Sequence, residues 1–406
     1  MLRAMSSSKP AAFIFVFFTV LLDMLALGVM VPVLPRLLME FEGGDVAKAA
    51  IVAGVFGAAW STMQFLFSPV IGVLSDRVGR RPIILLSNFG LGLDYILMAV
   101  APNLTWLFVG RLLSGITAAS ISTSTAYIAD VTPPAERAKK FGMLGAAFGL
   151  GFIIGPAIGG FLGEIDLRLP FWVAAGLSIG NGFYGLFVVP ESLPPERRLP
   201  FEWRRANPIG ALRLLASNRV VLALAFASIF QALAHEVYPS IFALSAGYRY
   251  EWTTAEVGWM LTFVGVCSAI VQAGLLGPII GKLGEARATV AGLGFGFVGF
   301  LIFGLAPTGL VFASGAIFSA LWGISGPAIQ AMMTERIAPE RQGELQGAVS
   351  SLRGLGAIGG PIVFTQLYAV SVGADAMVGL PGSPYLLAAV MLVIACVFAI
   401  RARAAQ

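Results

Sequence analysis

Long apolar runs separated by short polar ones dominate the chain. A helix that crosses a bilayer needs about 20 mostly apolar residues. By that rule the pattern predicts twelve crossings, at about 12–34, 48–71, 82–100, 105–128, 139–163, 169–189, 219–243, 255–280, 287–305, 308–330, 344–369 and 383–401. The crossings are glycine-rich, which suits close packing of helix backbones in lipid. The longest polar stretch, PESLPPERRLPFEWRRANP (190–208), is proline-rich and basic and falls between the sixth and seventh crossings. It reads as a linker. The expected architecture is an all-α membrane protein with twelve transmembrane helices in two six-helix bundles, 1–189 and 219–406, joined by a linker over 190–218.

The two halves repeat each other. SPVIGVLSDR (68–77) recurs as GPIIGKLGEA (277–286), keeping a Pro, an Ile, a Gly and a Leu in place, with Asp76 matched by Glu285. A second match runs from Pro134 to the pair Gly155-Pro156, and again from Pro339 to Gly360-Pro361, with the same 22-residue spacing between prolines. Two matches at nearly one offset point to duplication. Transporters built from repeats place their substrate near the membrane midplane at the repeat interface and work by rocking.

Composition supports the membrane reading. The chain is 58% hydrophobic and 12% charged, whereas a soluble domain averages about 25% charged residues. Lipid must cover the surface that charges do not. The net charge of +5 has its origin in topology. With the N-terminus inside, twenty Lys or Arg fall in cytoplasmic segments and four outside, at Arg36, Lys48, Arg168 and Arg249. That bias puts both termini in the cytoplasm of a cell whose inner membrane holds the chain. The short basic start MLRAMSSSKP runs straight into the first crossing, with no cleavage site of a removed signal peptide. Trp106, Trp252 and Trp259 suit interfacial belts. Cys267 and Cys396, the two cysteines, lie far apart in apolar runs and read as small buried hydrophobes; they make no metal site or disulfide framework.

The loop GVLSDRVGRRP (72–82) between crossings two and three is compact and charged. Gly72 and Gly79 permit tight turns, and Asp76 is placed to pair with Arg77, Arg80 or a helix end. Such a cluster can gate one state of a rocking cycle. Gly72, Leu74, Asp76, Gly79, Arg80, Arg81 and Pro82 together resemble the loop signature of the major facilitator superfamily. The fifth crossing holds Gly142, Gly151, Gly155, Pro156, Gly159 and Gly160. Glycines at steps of four or nine are expected to line one face and allow close approach, and Pro156 to bend the helix. This spacing resembles the signature of the antiporter branch of that superfamily, and so implies export.

Ionisable residues inside crossings are costly and mark function. Six stand there: Asp23, Asp94, Arg111, His235, Glu236 and Arg353. A carboxylate near an arginine can take up and release a proton as access alternates. His235, the single histidine, can titrate near neutral pH. Arg353 is expected to neutralise Glu236 or to meet an anionic substrate, the first being preferred. Gln231, Tyr238 and Gln330 are candidate polar lining.

LLDMLALGVMVPVLPRLL, LDYILMAVAPNLTWLFVGRLLSGIT and FGMLGAAFGLGFIIGPAIGGFLGEI resemble the tetracycline/proton antiporters, most closely over 14–190, with further likeness in RPIILLSNFG, PAIQ (327–330) and QGELQGAVSSL (342–352). The resemblance places Asp23, Asp94 and Arg111 on the family's essential charges and implies exchange of a drug for a proton. The second half departs from it: Ser268 and Val298 stand where exporters of the best-known type carry a His and an Asp. The substrate is therefore left open.

No phosphate-binding Walker loop is present, so ATP hydrolysis is not the drive, and a lone histidine makes no catalytic triad or metal site. The expected partners are protons, lipid and a small-molecule substrate, with no cofactor, no nucleic acid and a monomeric carrier. The alternatives are a proton symporter importing a nutrient, and a membrane sensor or scaffold that transports nothing.

Overall fold

A computed structural model describes residues 2–118, 120–202, 212–215, 218–338, 341–373 and 376–404. Positions 203–211 of the expected linker, including Arg204 and Arg205, and Pro339 of the second repeat lie outside the described residues. The described secondary structure is helical, with no strand among the described residues.

Twelve spans can be traced. Spans 1, 2 and 3 are Leu2–Met30, Val46–Val78 and Arg80–Val100. Span 4 is in two pieces, Leu104–Thr117 and Ser120–Val131. Spans 5 and 6 are Pro134–Ile165 and Leu169–Val188. Span 7 is also in two pieces, Arg219–His235 and Val237–Tyr250. A continuous helical stretch of 52 residues, Thr254–Leu305, holds spans 8 and 9. Gly284, at φ 71° and ψ 162°, breaks it in two; the positive φ is open to glycine and strained for other residues. Span 10 is Gly309–Trp322 with Ser325–Thr334, span 11 Gln342–Ala369 and span 12 Ser383–Ala404. A short helix, Leu34–Phe41, precedes span 2.

The helix ends show why charge sits where it does. The first N–H groups and last C=O groups of a helix lack partners within it. Asn103, Asn218 and Thr308 accept from the backbone of Trp106, Val220 and Val311 and so cap spans 4, 7 and 10. Asp45 caps span 2 through Lys48 N at 3.0 Å. That hydrogen bond, with the Lys48 ammonium beside it, holds the Asp45 carboxyl below its ordinary value. At the opposite kind of end, Arg168 donates to the carbonyls of Ala99 (2.8 Å) and Ala101 (2.9 Å) behind span 3. Arg249 does the same behind span 9, to Phe303 (2.6 Å), Gly304 (3.2 Å) and Ala306 (2.8 Å). Two of the four arginines and lysines that run against the charge bias are thus helix C-terminal caps, where a cation is favoured.

Glycine sets the helix packing. A β-carbon at Gly151 would lie 2.8 Å from the Leu21 carbonyl oxygen, and one at Gly155 2.8 Å from Gly28 Cα. One at Gly159 would run into the Val29 carbonyl. Span 5 therefore lies backbone to backbone on span 1 along a four-residue step. Gly142 is not part of this seam, since a β-carbon there would meet nothing within 4 Å. Nine steps of about 100° turn a residue to the far face of the helix, so the expected step of nine does not share a face. Gly160, one position on from Gly159, faces Thr254 and Ala255 instead. The second repeat reuses the device: Gly356 and Gly360 pack on Leu233 and Glu236 of span 7.

The chain clusters into two compact units, 1–34 with 59–207 and 254–259, and 35–58 with 208–253 and 260–406. In the first, Phe13, Val16, Val20, Met24, Ile84, Tyr127, Leu144 and Ala147 form a buried core. In the second, Phe242, Phe300, Phe303, Phe312 and Tyr385 are buried against one another. Trp252 packs on Tyr250 and Phe312 in that second cluster. Trp106 and Trp259 are exposed, as a lipid-facing belt requires. Cys267 and Cys396 are free thiols, each partly buried.

Candidate functional site

In the first unit the fold brings together three of the predicted charges. Asp23, Asp94 and Arg111 are each buried, on spans 1, 3 and 4. The buried ring of Tyr95 has all three within electrostatic reach. Gly110 makes room for Asp94: a β-carbon there would lie 2.9 Å from Oδ1. Neither carboxylate oxygen of Asp94 has a hydrogen-bond partner among the described residues. Ser114 and Arg111 are its polar neighbours, outside bonding geometry. An ionised carboxylate left without bonds inside apolar helices is costly.

Arg111 does not close onto that carboxylate. Its guanidinium lies 5.4 Å from the ring centroid of Trp60 on span 2. Gly115, one turn along span 4 from Arg111, packs directly on the Trp60 backbone, with 2.5 Å left between a β-carbon and the carbonyl. Trp60 was not legible as a site residue, because one Trp in an apolar run looks like any other. Beside these charges, Thr19 donates to Asn181 Oδ1 at 3.3 Å, one turn before Asp23.

In the second unit, span 7 breaks at Glu236, whose φ of −65° and ψ of −13° end one helix and start the next. His235 is exposed at the break, with its ring 5.8 Å from Tyr238 and 6.0 Å from Trp322. The Tyr238 hydroxyl bonds Ser319 Oγ, and Ser325 donates to Gln231 at 2.7 Å. Gln330 Nε2 is buried without a partner among the described residues. Glu236 is covered by Gly360, where a β-carbon would stand 2.6 Å from its Cγ. The expected Arg353–Glu236 pair does not form: Arg353 is exposed, and Glu236 faces Gly360. Gly360 is the residue of span 11 opposite Glu236, and Arg353 lies seven positions earlier, about 10 Å along the axis.

The expected 72–82 loop is helical except at Gly79, because span 2 runs on to Val78 and span 3 starts at Arg80. At this junction Asp76 pairs with Arg80 at 2.7 Å, and Arg80 reaches Asp130 of span 4 at 3.3 Å. Of the expected partners of Asp76, Arg80 is taken and Arg77 points out, exposed. Arg81 donates to the Leu186 carbonyl at 2.6 Å. Gly72 makes no turn, since it stands inside the helix of span 2; it lines a recess of about 320 Å³ with Ser75, Asp76 and Arg80. Gly79 sits at φ 110° and separates the two helices.

Twelve spans, repeated halves, buried charges and a charged loop between spans 2 and 3 define a multi-pass membrane transporter. The Major Facilitator Superfamily profile matches residues 16–361 and 224–405, and the chain belongs to that superfamily. It is 38% identical over 360 residues to the class C tetracycline resistance protein of Escherichia coli, covering 89% of this chain and 90% of that one. It is 36% identical over 358 residues to the class B protein of Escherichia coli, covering 86% of each. Among solved structures, a bacterial homolog of the human lysosomal transporter Spinster superposes with a TM-score of 0.79 at 16% identity, over 97% of both chains, a likeness of fold alone. The chain is a drug:proton antiporter of the superfamily.

If Trp60 steadies the Arg111 guanidinium, Trp60→Leu should lower the proton-driven transport rate roughly fivefold, the scale of a partly buried cation–π contact. Trp60→Phe should keep most of the rate. Initial uptake rates in everted vesicles, normalised to protein, check both.

Proposed function

We propose that the chain carries tetracycline, or a drug of the same flat polycyclic shape, out of the cell in exchange for a proton. The observation that carries this reading is Asp94, a buried carboxylate with no hydrogen-bond partner among the described residues, beside an arginine that is held away from it. A fixed ion pair would keep its charge through the cycle; a carboxylate so placed is free to gain and lose a proton. Asp23 and Asp94 bind proton or drug in turn, and Arg111 stabilises the ionised state. Glu236 serves as the acid of the second half, and His235 with Arg353 adjusts the charge around it. His235, Tyr238 and Trp322 offer aromatic faces to a planar cargo, and Gln231 and Gln330 offer hydrogen bonds. The two bundles, 1–189 and 219–406, rock about the linker, with the 72–82 loop as gate and the seam of span 5 on span 1 as a rigid contact. The carrier works as a monomer in the inner membrane, with both termini in the cytoplasm and the proton gradient as its energy source.

Purified protein in liposomes tests the exchange. With the carrier's cytoplasmic face outward and an acid interior, tetracycline should accumulate inside and the lumen should lose protons. Nigericin with K⁺ outside, which collapses the pH gradient, should abolish the accumulation and the drug-dependent part of the proton loss. Accumulation that ignores the gradient, or acidification on the same side as drug entry, overturns antiport. A gradient-driven flux of other drugs with none of tetracycline overturns the cargo only.

A further inference from the structure

The first ten residues of the expected linker are not loose. Glu191 accepts from the backbone N–H of Arg80 at 2.9 Å with one carboxylate oxygen and of Arg81 at 3.3 Å with the other. These are the first N–H groups of span 3, which no residue within the helix can satisfy, at the helix end that favours an anion. Gly79 makes the approach feasible, since a β-carbon there would collide with Glu191 Oε2. The rest of the segment is tied to the same place. The Tyr127 hydroxyl donates to the Pro190 carbonyl at 2.8 Å, Ser192 donates to Asp130 at 3.1 Å, and Leu199 N donates to the Asp76 carbonyl at 3.1 Å. Asp76 and Asp130 are the two acids that hold the Arg80 guanidinium. Arg80 is thus fixed twice, at its backbone by Glu191 and at its side chain by acids that the same segment holds.

We propose that Glu191 is a positioning residue of the gate: through the N-terminus of span 3 it sets Arg80 in its pair with Asp76, and so governs how fast the carrier turns over. This rests on reading the 72–82 loop as the gate. Glu191 has no part in binding cargo, so its loss should act on rate and leave affinity alone. The segment 190–199 is then a strap that joins spans 2, 3 and 4 before the chain passes to the second half.

The test uses the full-length protein in lipid. In Glu191→Ala, amide hydrogen exchange over residues 79–83 should quicken about tenfold, the size of a lost helix cap, with the interior of span 3 unchanged. With tetracycline as the probe, maximal exchange rate should fall about tenfold while KM stays within about twofold. Glu191→Gln keeps an acceptor oxygen and should fall between Ala and the native residue. Glu196→Ala, an exposed acid of the same strap, should change neither. Unchanged amide exchange in Glu191→Ala overturns the cap. Faster exchange with an unaltered transport rate, or a rate loss matched by a rise in KM, overturns the positioning role. If native protein moves no tetracycline, the cargo reading fails, and the cap is still decided by amide exchange.

Discussion

Asp94→Asn is expected to abolish gradient-driven efflux, lowering the initial rate roughly 100-fold or more, the scale on which losing a proton-transfer group acts, while leaving a well-folded carrier. The substitution is nearly isosteric and removes the ability to ionise. No hydrogen bond is lost with the oxygen, because neither Asp94 oxygen has a partner among the described residues. It also removes the cost of an ionised group in an apolar bundle, so thermal unfolding should be unchanged or slightly raised. Everted vesicles energised by a pH gradient give the rate, and scanning calorimetry or fluorescence gives the unfolding midpoint. Asp23→Asn should lower the efflux rate on the same scale. Efflux at the native rate in Asp94→Asn would remove this carboxyl from the coupling and with it the main support for the proposed mechanism.

How this centre was legible differs from residue to residue. The charges Asp23, Asp94 and Arg111 stood out because lipid makes an ionisable side chain expensive, so each one inside an apolar run is a signal. Their convergence around Tyr95 was not legible, since no local pattern says which helices are neighbours. Trp60 carries no such signal, being apolar like its surroundings. Glu191 lay in a stretch whose proline-rich, basic composition reads as linker; only the fold puts it at the start of span 3. Most span boundaries fell near where hydropathy puts them, because length and apolarity are fixed by the bilayer. Span 1, however, starts at Leu2, not 12, and spans 2 and 7 run on to Val78 and Tyr250, not 71 and 243, because a helix continues past the apolar stretch into polar residues. The break of span 7 at Glu236 was not legible, for no Gly or Pro marks it; the nearest proline, Pro239, falls in the first turn of the next helix, where proline is tolerated. The Arg353–Glu236 expectation failed on helix arithmetic, since opposite charges on facing helices pair only when they stand at the same height.

The same arithmetic separates two sets of glycines on span 5, and their substitution should have the second large effect. Gly155→Val and Gly159→Val are each expected to cost about 3 kcal/mol, the upper end of the range for overpacking a filled contact. The contact is with main chain, not with a side chain that can swing away: Leu25 O and Gly28 Cα stand 2.7 and 2.8 Å from a β-carbon at Gly155. A valine forces span 5 off span 1 along its length, and the cores on either side open with it. The unfolding midpoint in detergent should drop by about 6 °C or more, with a matching loss of protein in the membrane. Gly142→Val and Gly149→Val, on the same helix and equally apolar, should leave both unchanged, as their missing β-carbons face open space. Equal damage from all four would mean that span 5 is sensitive to lost flexibility, not to the distance between two backbones, and the seam would no longer explain why the glycines recur at every fourth position.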